Sequence, residues 1–541
     1  MPLTPELRHA VDQIRDYLWA GGYPDPMQNA EQLSFLFFFY LFESADAARL
    51  RAARRPGAPP YTSVFAGEWT LRNPINARAG ETTVPCDRLR WSSWARALNG
   101  DRLVTWVRDE VFPFYAEVAG NGPTNFMEGA RLTIDEPTVL TQVVSKVDEL
   151  RLERMDADTK GDLFEHVLRQ TRQAGELGQF RTPRHVIRAI VQMVDPRIGE
   201  TVYDPAAGTA GFLVGAYDHI RLVNSTPAAI EEVEIDGKAV RRGLGDRLSN
   251  EQWKLLHEAT FHGSDVDARM VRLATMNLTL RGLDRVRVLR RDALTRSLDR
   301  ATRAELGLPP EGFDVILANP PFSGKIDKDR IVEEVRVGRS TATELLFIRF
   351  MLNQLKPGGR CGVVVPEGVL FGSTGAHREL RRQLVENNTV EAVLSLPGGV
   401  FQPYSGVKTS VLVFRKGGET DRVMFLHAEN DGYKLDANHD RPIDADDLPD
   451  LIAAFRDRRE RWQEWRSRDT EAEWGENWWF ADAEALRAAD YNLSANRWRP
   501  ASRRRVEHRD PMELIDELRA IETEILEELD QLADVVREME G

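Results

Sequence analysis

Apolar residues in the first 150 positions recur every three or four residues, which is the spacing of one face of an α-helix. Two such series are Leu7, Val11, Ile14, Leu18 and Leu103, Val107, Val111. A stretch rich in proline and glycine, residues 54–86, separates them and predicts loops. We therefore expect residues 1–150 to form a helical N-terminal domain. Core packing, in preference to base stacking, is the role expected for its tryptophans Trp69, Trp91, Trp94 and Trp106.

Residues 151–420 follow a different pattern, in which short β-branched runs alternate with amphipathic helical runs. The strand candidates are residues 201–203, 260–264, 286–289, 313–318, 362–365, 390–396 and 410–414. This alternation predicts an α/β domain with a mainly parallel sheet and helices on both faces. Because ligands of such sheets bind at the carboxyl ends of the strands, functional residues are expected directly after them.

Two further segments complete the chain. Residues 421–505 form a C-terminal extension, in which an acidic, proline-punctuated stretch precedes a tryptophan-rich segment that we predict to be helical. In residues 506–541, apolar residues step by threes and fours through an acidic sequence, which predicts an amphipathic, coiled-coil-like helix. The sequence is compatible with two roles for this helix, packing onto its own chain and docking onto a partner helix.

Composition excludes several classes of protein. The longest apolar run, residues 33–42, is well short of the ~20 residues that span a bilayer, so we expect a buried core helix and no membrane association. The chain does not begin with a signal-peptide pattern. Two cysteines, Cys86 and Cys361, are too few for a disulfide framework or a four-cysteine zinc site. We expect a cytoplasmic protein with no bound metal.

A turn of small residues follows the first strand candidate. Residues 204–212 read DPAAGTAGF, and an apolar helical run comes next. The glycine spacing differs from the dinucleotide-binding pattern, and no phosphate-loop motif occurs. An acid at the start of the turn suits an ammonium group and would repel phosphate. The residues predicted to contact a cofactor here are Asp204, Gly208, Thr209, Ala210 and Gly211.

Acidic residues also end the next two strand candidates. Asp265 can accept hydrogen bonds from both ribose hydroxyls of an adenosyl ligand, and Asp267 is a weaker alternative. Asp292 can accept a hydrogen bond from the adenine amino group of such a ligand. Loop aspartates often only cap helices. Three acids at three successive strand ends nevertheless favour a binding site.

The segment GQFRTP precedes the helical run that begins near residue 184. It comprises Gly178, Gln179, Phe180, Arg181, Thr182 and Pro183. Thr182 is predicted to cap this helix and Pro183 to be its first residue. Capping does not account for Phe180, which we expect to cover the cofactor.

The tetrapeptide after strand candidate 313–318 is the candidate catalytic turn, and it consists of Asn319, Pro320, Pro321 and Phe322. Consecutive prolines fix the backbone and leave carbonyl oxygens as acceptors. The Asn319 side-chain oxygen and the Pro320 carbonyl can each accept one hydrogen of a planar exocyclic amine. Phe322 can stack on a base turned out of a duplex. An ordinary Asn-Pro turn is the alternative, but the position after a strand disfavours it.

Two loops are expected near this turn. Residues 323–340 are charged and contain two glycines, so we predict a mobile loop that closes over the base. In a second loop, residues 397–406, Phe401 or Tyr404 is a candidate for contacting the other face of the base.

Together these motifs resemble a known family. The ordered set GQFRTP, DPAAGTAGF, GSD, RDAL, NPPF, GGRCGVVVPEGVLF and LPGGVFQPYSGVKTS is similar to the modification (M) subunit of type I restriction–modification systems. The resemblance also includes WSSWARAL near the N-terminus and YNLSANRW at residues 491–498. It implies a Rossmann-like class I methyltransferase sheet with a helical N-terminal domain and a helical C-terminal tail.

The resemblance further implies a function and partners. It implies methyl transfer from S-adenosylmethionine to adenine N6 of double-stranded DNA. It also implies assembly with a separate specificity (S) subunit, optionally with a restriction (R) subunit, and with two M copies per complex. Cofactor contact is implied for residues 178–183, for Asp204, for residues 208–211 and for Asp265 and Asp292. Catalysis is implied for residues 319–322.

The net charge of −14 agrees with delegated sequence recognition. A chain that holds DNA by itself is expected to have a basic footprint. Here arginines cluster only locally, at residues 49–55 and 497–505. We therefore expect a partner to supply much of the DNA affinity.

Two other functions remain open at the level of the sequence. Protein glutamine-amide methyltransferases use Asn-Pro-Pro-Tyr at the equivalent place, where this chain has phenylalanine. A non-catalytic scaffold of a defence complex is the second alternative. Its expected signature is loss of the asparagine or of the paired prolines, and this chain retains both.

Overall fold

The computed structural model describes residues 4–54, 60–77, 81–119, 127, 129–170, 182–283, 285–322, 324–402, 405–436, 439, 441–467 and 476–500. The predictions for residues 178–181, for Tyr404 and for the tail 506–541 lie outside the described residues. The chain divides into two compact units, residues 1–465 with 477–498 and residues 466–476 with 499–541, and the following concerns the first. No helix in the described part of the chain combines the length and apolarity that a membrane crossing requires.

A large mixed sheet organises the molecule. The described strands are β1 (Glu68–Thr70), β2 (Thr83–Pro85), β3 (Val202–Asp204), β4 (Ile230–Ile235), β5 (Lys238–Gly243), β6 (Phe261–Asp265), β7 (Arg287–Arg290), β8 (Phe313–Ala318), β9 (Leu355–Pro366), β10 (Asn388–Ser395), β11 (Thr409–Lys416), β12 (Arg422–His427), β13 (Asp431–Tyr433), β14 (Pro442–Asp446) and β15 (Trp478–Asp482). Nine of them form one sheet in the order β15-β12-β10-β11-β9-β8-β3-β6-β7. All seven strand candidates lie in this sheet, so the α/β prediction is confirmed.

Strand direction explains where a site can form. β3 pairs in parallel with β6 on one side and with β8 on the other. The strands that follow β3 in the chain lie on both sides of it, β6 and β7 on one side and β8 and β9 on the other. β3 therefore lies at a topological switch point, where the carboxyl ends of parallel strands leave a crevice. β11 and β15 run antiparallel to their neighbours, whereas the pairings β6–β7, β8–β9 and β10–β12 are parallel.

Helices cover the sheet and build the N-terminal region. They are α1 (Pro5–Ala20), α2 (Pro26–Ala53), α3 (Trp91–Trp94), α4 (Gly100–Trp106), α5 (Phe112–Ala119), α6 (Pro137–Glu149), α7 (Ala157–Gln170), α8 (Arg184–Val194), α9 (Gly211–Val223), α10 (Asn250–Glu258), α11 (Ala268–Leu280), α12 (Arg300–Glu305), α13 (Thr343–Gln354), α14 (Glu367–Phe371), α15 (Gly375–Asn387), α16 (Leu448–Arg456), α17 (Arg458–Ser467), α18 (Ala483–Ala488) and α19 (Ala495–Trp498). The apolar run at residues 33–42 lies within α2, and most of it is buried.

The N-terminal region is mostly helical, as predicted. The four tryptophans expected to pack, Trp69, Trp91, Trp94 and Trp106, are buried, which confirms their assignment, whereas Trp19 of α1 is exposed. Its core also includes Met270, Leu273 and Leu280 of α11, a helix that follows strand β6 of the sheet. Because this one apolar cluster draws on both regions, the N-terminal helices and the sheet layer are packed as a single unit.

Residues beyond 420 correct one prediction. The tryptophan-rich segment was expected to be helical, but only its first part is, in α17, while Trp478 and Trp479 lie in edge strand β15. These side chains are buried against the sheet. The local sequence shows no alternation of apolar and polar residues that would predict a strand, and tertiary burial favours the strand nevertheless. The sheet therefore continues past residue 420 through β12 and β15. The division into domains at that residue stays a prediction.

Besides the antiparallel pair β1–β2, two short hairpins were not predicted. β4 pairs with β5, and β13 pairs with β14. Their strands are largely polar, so the hydrophobic pattern gives little indication of them. An ion pair of 2.7 Å between Lys238 and Asp446 joins the two hairpins.

Candidate active site

The glycine turn between β3 and α9 has the backbone that a close ligand approach requires. Gly208 has φ +50° and Ala210 has φ +66°, both in the left-handed region. Space around Gly208 is open, so the constraint there is conformational. Asn277 of α11 donates a hydrogen bond of 2.8 Å to the Thr209 carbonyl. The turn is thus held from an adjacent helix, with Gly208 and Thr209 partly exposed and Ala210 buried.

Asp204 ends β3 and is buried, with 1% of its surface exposed. Its carboxylate accepts a hydrogen bond of 3.0 Å from the Ala206 backbone. Burial, reinforced by the negative charge of Asp265, raises the pKa of Asp204 to about 8. A buried carboxyl of this kind is stabilised in its charged form by a cationic partner. The chemistry of Asp204 therefore fits the cationic end of S-adenosylmethionine.

The other two acids are held by backbone amides. Asp265 accepts hydrogen bonds of 2.9 Å from the backbone of Gly208 and of Asp267, and burial raises its pKa. Asp292, which is half-buried, accepts one of 2.9 Å from the Leu294 backbone. Asp267, the weaker alternative, is the N-cap of α11 and accepts from the Arg269 backbone. Asp265 thus orders the glycine turn, and Asp267 fills a capping role.

Thr182 departs from its predicted role. Pro183 is the N-cap of α8 with ψ 143°, so the helix begins at Arg184, one residue later than expected. The Thr182 hydroxyl does not cap the helix but accepts a hydrogen bond of 2.9 Å from Asn319 Nδ2. The capping prediction is wrong because the extended conformation of Pro183 takes Thr182 out of the helix, towards the catalytic turn.

Asn319 lies directly after β8, as expected. With Nδ2 bound to Thr182, its Oδ1 is buried and has no hydrogen-bond partner among the described residues. An acceptor left free in this way costs free energy unless a ligand satisfies it. Pro320 is buried and Pro321 is exposed. The turn therefore presents one unsatisfied amide oxygen.

Phe322 is less accessible than its predicted stacking role requires. Only 4% of it is exposed, and its ring lies edge-on to Phe401 with centroids 5.2 Å apart. Phe401 is itself buried. Stacking on a base therefore requires this aromatic pair to rearrange.

The segment 324–340 also differs from expectation. Ile331, Val335 and Val337 are each at most 3% exposed and join the core that α13 contributes to. Two 3-10 turns, Lys328–Arg330 and Glu333–Val335, lie within it. The segment is anchored by these apolar side chains, and its movement over a base stays a prediction. The many charged residues of this segment separate Ile331, Val335 and Val337, so its sequence shows no continuous apolar run.

One cavity brings six of the predicted residues together. It has a volume of about 720 Å³, and its lining includes Thr182, Asp204, Gly208, Thr209, Gly211 and Asn319. The other described residues of the predicted set are not part of this lining, namely Pro183, Ala210, Asp265, Asp292, Pro320, Pro321 and Phe322. The geometry thus joins the acid of the glycine turn and the amide of the catalytic turn in a single space.

Sequence reasoning missed a charged wall of this cavity. Arg184 forms an ion pair with Glu165 of α7, and Arg242 of β5 binds Asp162 of α7 with both its terminal nitrogens. Arg281 after α11 approaches the same acids. Nothing in the spacing of these residues indicated that they meet. The network ties α7, which packs in the same apolar cluster as the N-terminal helices, to the start of α8, next to Thr182.

The chain is similar in sequence to known proteins. The family model described as N-6 DNA Methylase matches residues 155–507. The methylase subunit of the type I restriction enzyme EcoEI from Escherichia coli is 29% identical over 465 residues, covering 83% of this chain and 86% of its own length. The EcoKI methylase subunit from Escherichia coli strain K12 is 29% identical over 390 residues, covering 69% and 68%.

Solved structures show the same fold. A chain from a structural study of complex assembly and conformational transition of the type I R-M system has a TM-score of 0.66 at 27% identity, with both chains fully covered. The type I restriction-modification methyltransferase subunit from Streptococcus thermophilus has a TM-score of 0.60 at 17% identity, covering 91% of this chain and 98% of its own. At that identity the second likeness concerns the fold alone.

Proposed function

Because the chain belongs to the N-6 DNA methylase family, we propose that it transfers the methyl group of S-adenosylmethionine to N6 of an adenine in double-stranded DNA. The observation that best supports this proposal is the state of Asn319. Thr182 accepts a hydrogen bond from its Nδ2, its buried Oδ1 has no partner among the described residues, and Asn319 lines the same cavity as Asp204. Residues 319–322 are the proposed catalytic residues.

The proposed cofactor site is built around β3. Asp204 would receive the cationic methionine end, residues 208–211 would lie against the ligand, and Asp265 and Asp292 would bind its ribose and adenine. Residues 178–183 are the remaining proposed cofactor contacts, and Phe180 is the one proposed to cover the ligand. S-adenosylmethionine supplies an activated methyl group on a sulfonium. The cavity of about 720 Å³ falls in the range usual for small-molecule sites.

Positioning is the main task of the chain in the reaction. Asn319 Oδ1 accepts one hydrogen of the adenine amino group, and the Pro320 carbonyl accepts the other. The N6 lone pair then points towards the methyl group, which favours direct transfer. After transfer N6 bears one proton too many. Neither an amide nor a carbonyl is basic enough to keep it, so the proton passes to water.

The adenine must leave the helix before it can react. Phe322 is the proposed stacking partner, and the edge-on Phe322–Phe401 contact is the arrangement before the base enters. A base inserted at Phe322 would replace the edge of Phe401 as its neighbour. Aromatic stacking tolerates any base, so sequence discrimination has to come from elsewhere.

Partners are proposed on the same basis. The relatives are methylase subunits of type I restriction enzymes, and this chain has a net charge of −14. We infer that a specificity subunit reads the DNA sequence, that two copies of this chain join it, and that a restriction subunit is an optional addition.

A methyl-acceptor assay tests the proposal. The chain and its specificity subunit are incubated with methyl-labelled S-adenosylmethionine and either DNA or a release-factor protein. Label on DNA, as N6-methyladenine, is the expected result, and Asn319→Ala should lose it. Label on the protein alone would instead identify a glutamine-amide methyltransferase.

A further inference from the structure

A cluster of two histidines and an aspartate lies outside the proposed catalytic machinery. His185 Nε2 is 2.8 Å from Asp431 Oδ2, and His439 Nε2 is 2.9 Å from the same oxygen. The three donor atoms all lie within 4.8 Å of one another. His185 lies in the first turn of α8, Asp431 in β13, and His439 in the segment after β13. His185 and His439 are 254 positions apart in the chain.

The surroundings hold these side chains in place. The side chains of Asp431 and His439 are fully buried, and that of His185 is 10% exposed. The His185 ring stacks on Tyr433 with centroids 4.4 Å apart. His439 has φ +44°, a left-handed backbone that non-glycine residues rarely adopt. Packing therefore directs both imidazoles at one carboxylate.

These residue types are those that divalent transition metals prefer. Two imidazole nitrogens and one carboxylate oxygen form the protein part of three-ligand zinc sites and of two-histidine, one-carboxylate iron sites. Donors in a tetrahedral zinc site lie about 3.3 Å apart, given Zn–N bonds near 2.0–2.1 Å. Widening the present 2.8 and 2.9 Å separations by about half an ångström would accommodate the ion.

We propose that His185, Asp431 and His439 bind a divalent transition-metal ion of the zinc type, with water or solvent as a fourth ligand. His185 lines the cavity of about 720 Å³, which provides an entry path. The sequence analysis predicted no metal site because it considered cysteine spacing, and the three ligands are scattered along the chain.

The consequence of binding would be structural. The ion would fasten the β13–β14 hairpin to α8 at its second residue. Thr182, which binds the catalytic asparagine, lies three positions before His185. A metal here would therefore stiffen the segment that orients Asn319, without itself contacting the reacting atoms.

Metal analysis of the full chain tests the proposal. The tag-free chain is purified without chelator, stripped, reloaded with Zn²⁺ or Co²⁺, dialysed and measured by elemental analysis. The variants are His439→Asn and the double variant His185→Asn/His439→Asn. His219→Asn is the matched control, because His219 lines the same cavity and pairs with Asp195 at 2.8 Å without forming a three-ligand cluster in the described chain.

We expect one ion per chain in the wild type and in His219→Asn, and at least about tenfold less in the double variant. Loading should raise the Tm of the wild type and leave that of the double variant unchanged, because metal bound only by the folded state stabilises it. Should these variants misfold, Asp431→Cys replaces one ligand by another, and bound Co²⁺ should then show a thiolate charge-transfer band.

Two results would overturn the proposal. The first is a wild-type chain that retains no Zn²⁺ or Co²⁺ after dialysis, which would leave a purely hydrogen-bonded His–Asp–His contact. The second is equal retention by the wild type and the double variant, which would place the metal elsewhere. Neither readout depends on methyl transfer, so the two proposals fail independently.

Discussion

Thr182 Oγ1 lies 2.9 Å from Asn319 Nδ2 and joins the segment before α8 to the end of β8 across 137 positions of the chain. The hydroxyl accepts the hydrogen bond of the amide nitrogen, and the buried amide oxygen has no partner among the described residues of the chain. The orientation of the Asn319 amide therefore depends on a residue outside the proposed catalytic tetrapeptide.

Replacing Thr182 by valine should disorient Asn319. The substitution keeps the shape of the side chain but leaves a buried N–H unpaired, at a cost of about 1–3 kcal/mol. We expect kcat to fall about tenfold to a hundredfold, with a smaller change in cofactor affinity. Thr182→Ser retains the hydroxyl and should keep most of the activity. Single-turnover methylation with both variants measures this, and equal rates for valine and serine would exclude the orienting role.

Cofactor binding should release a proton through Asp204. The folded-state pKa of about 8 exceeds the value near 3.9 of an unfolded aspartate. Between these values the folded chain holds a proton that the unfolded chain lacks, so Asp204 makes the fold less stable as pH rises from about 4 to 8. A cationic ligand favours the carboxylate. Binding at pH 7 should therefore release about 0.9 proton, the fraction protonated there.

Calorimetric titration in two buffers of different ionisation enthalpy measures that release. The wild-type chain should show the proton, and Asp204→Asn should show weaker binding without proton release. A binding enthalpy independent of the buffer in the wild type would contradict the pairing of Asp204 with a cation.

Methylation should depend strongly on the ring of Phe322 and only weakly on the ring of Phe401. Base–aromatic stacking is worth about 1–3 kcal/mol, so Phe322→Leu should lower the methylation rate about tenfold to a hundredfold. Phe401→Leu removes only the edge contact and should cost clearly less. Fluorescence of 2-aminopurine at the target position reports the extruded base in each variant. A larger loss of rate in Phe401→Leu than in Phe322→Leu would contradict the proposal, because it would make Phe401 the stacking partner of the base.

DNA affinity should depend on the specificity subunit. Non-specific binding by the isolated chain is expected to be weak, with Kd of about 10⁻⁶ to 10⁻⁴ M at physiological salt. Adding the partner should tighten binding to the recognised sequence at least about a thousandfold. Fluorescence anisotropy at one fixed salt concentration compares the two. Tight, sequence-specific binding by the isolated chain would contradict delegated recognition.

The sequence predicted the strands and the site residues at their ends because buried parallel strands are rich in β-branched residues and ligands bind where they end. It did not predict the polar hairpins β4–β5 and β13–β14, whose strands lack a clear apolar pattern. Relationships between distant residues were also missed. Thr182 has a normal capping signature, and only its spatial position beside Asn319 gives it another partner. Likewise, nothing near His185 in the chain indicates Asp431.

The measurement closest to the central claim is sequencing of methylated bases in DNA from cells that express this chain with its neighbouring genes, beside cells that express Asn319→Ala. We expect N6-methyladenine at one recurring DNA sequence with the wild type and none with the variant, while the purified variant still binds S-adenosylmethionine. The same methylation pattern with Asn319→Ala, or no N6-methyladenine with the wild type, would contradict the account.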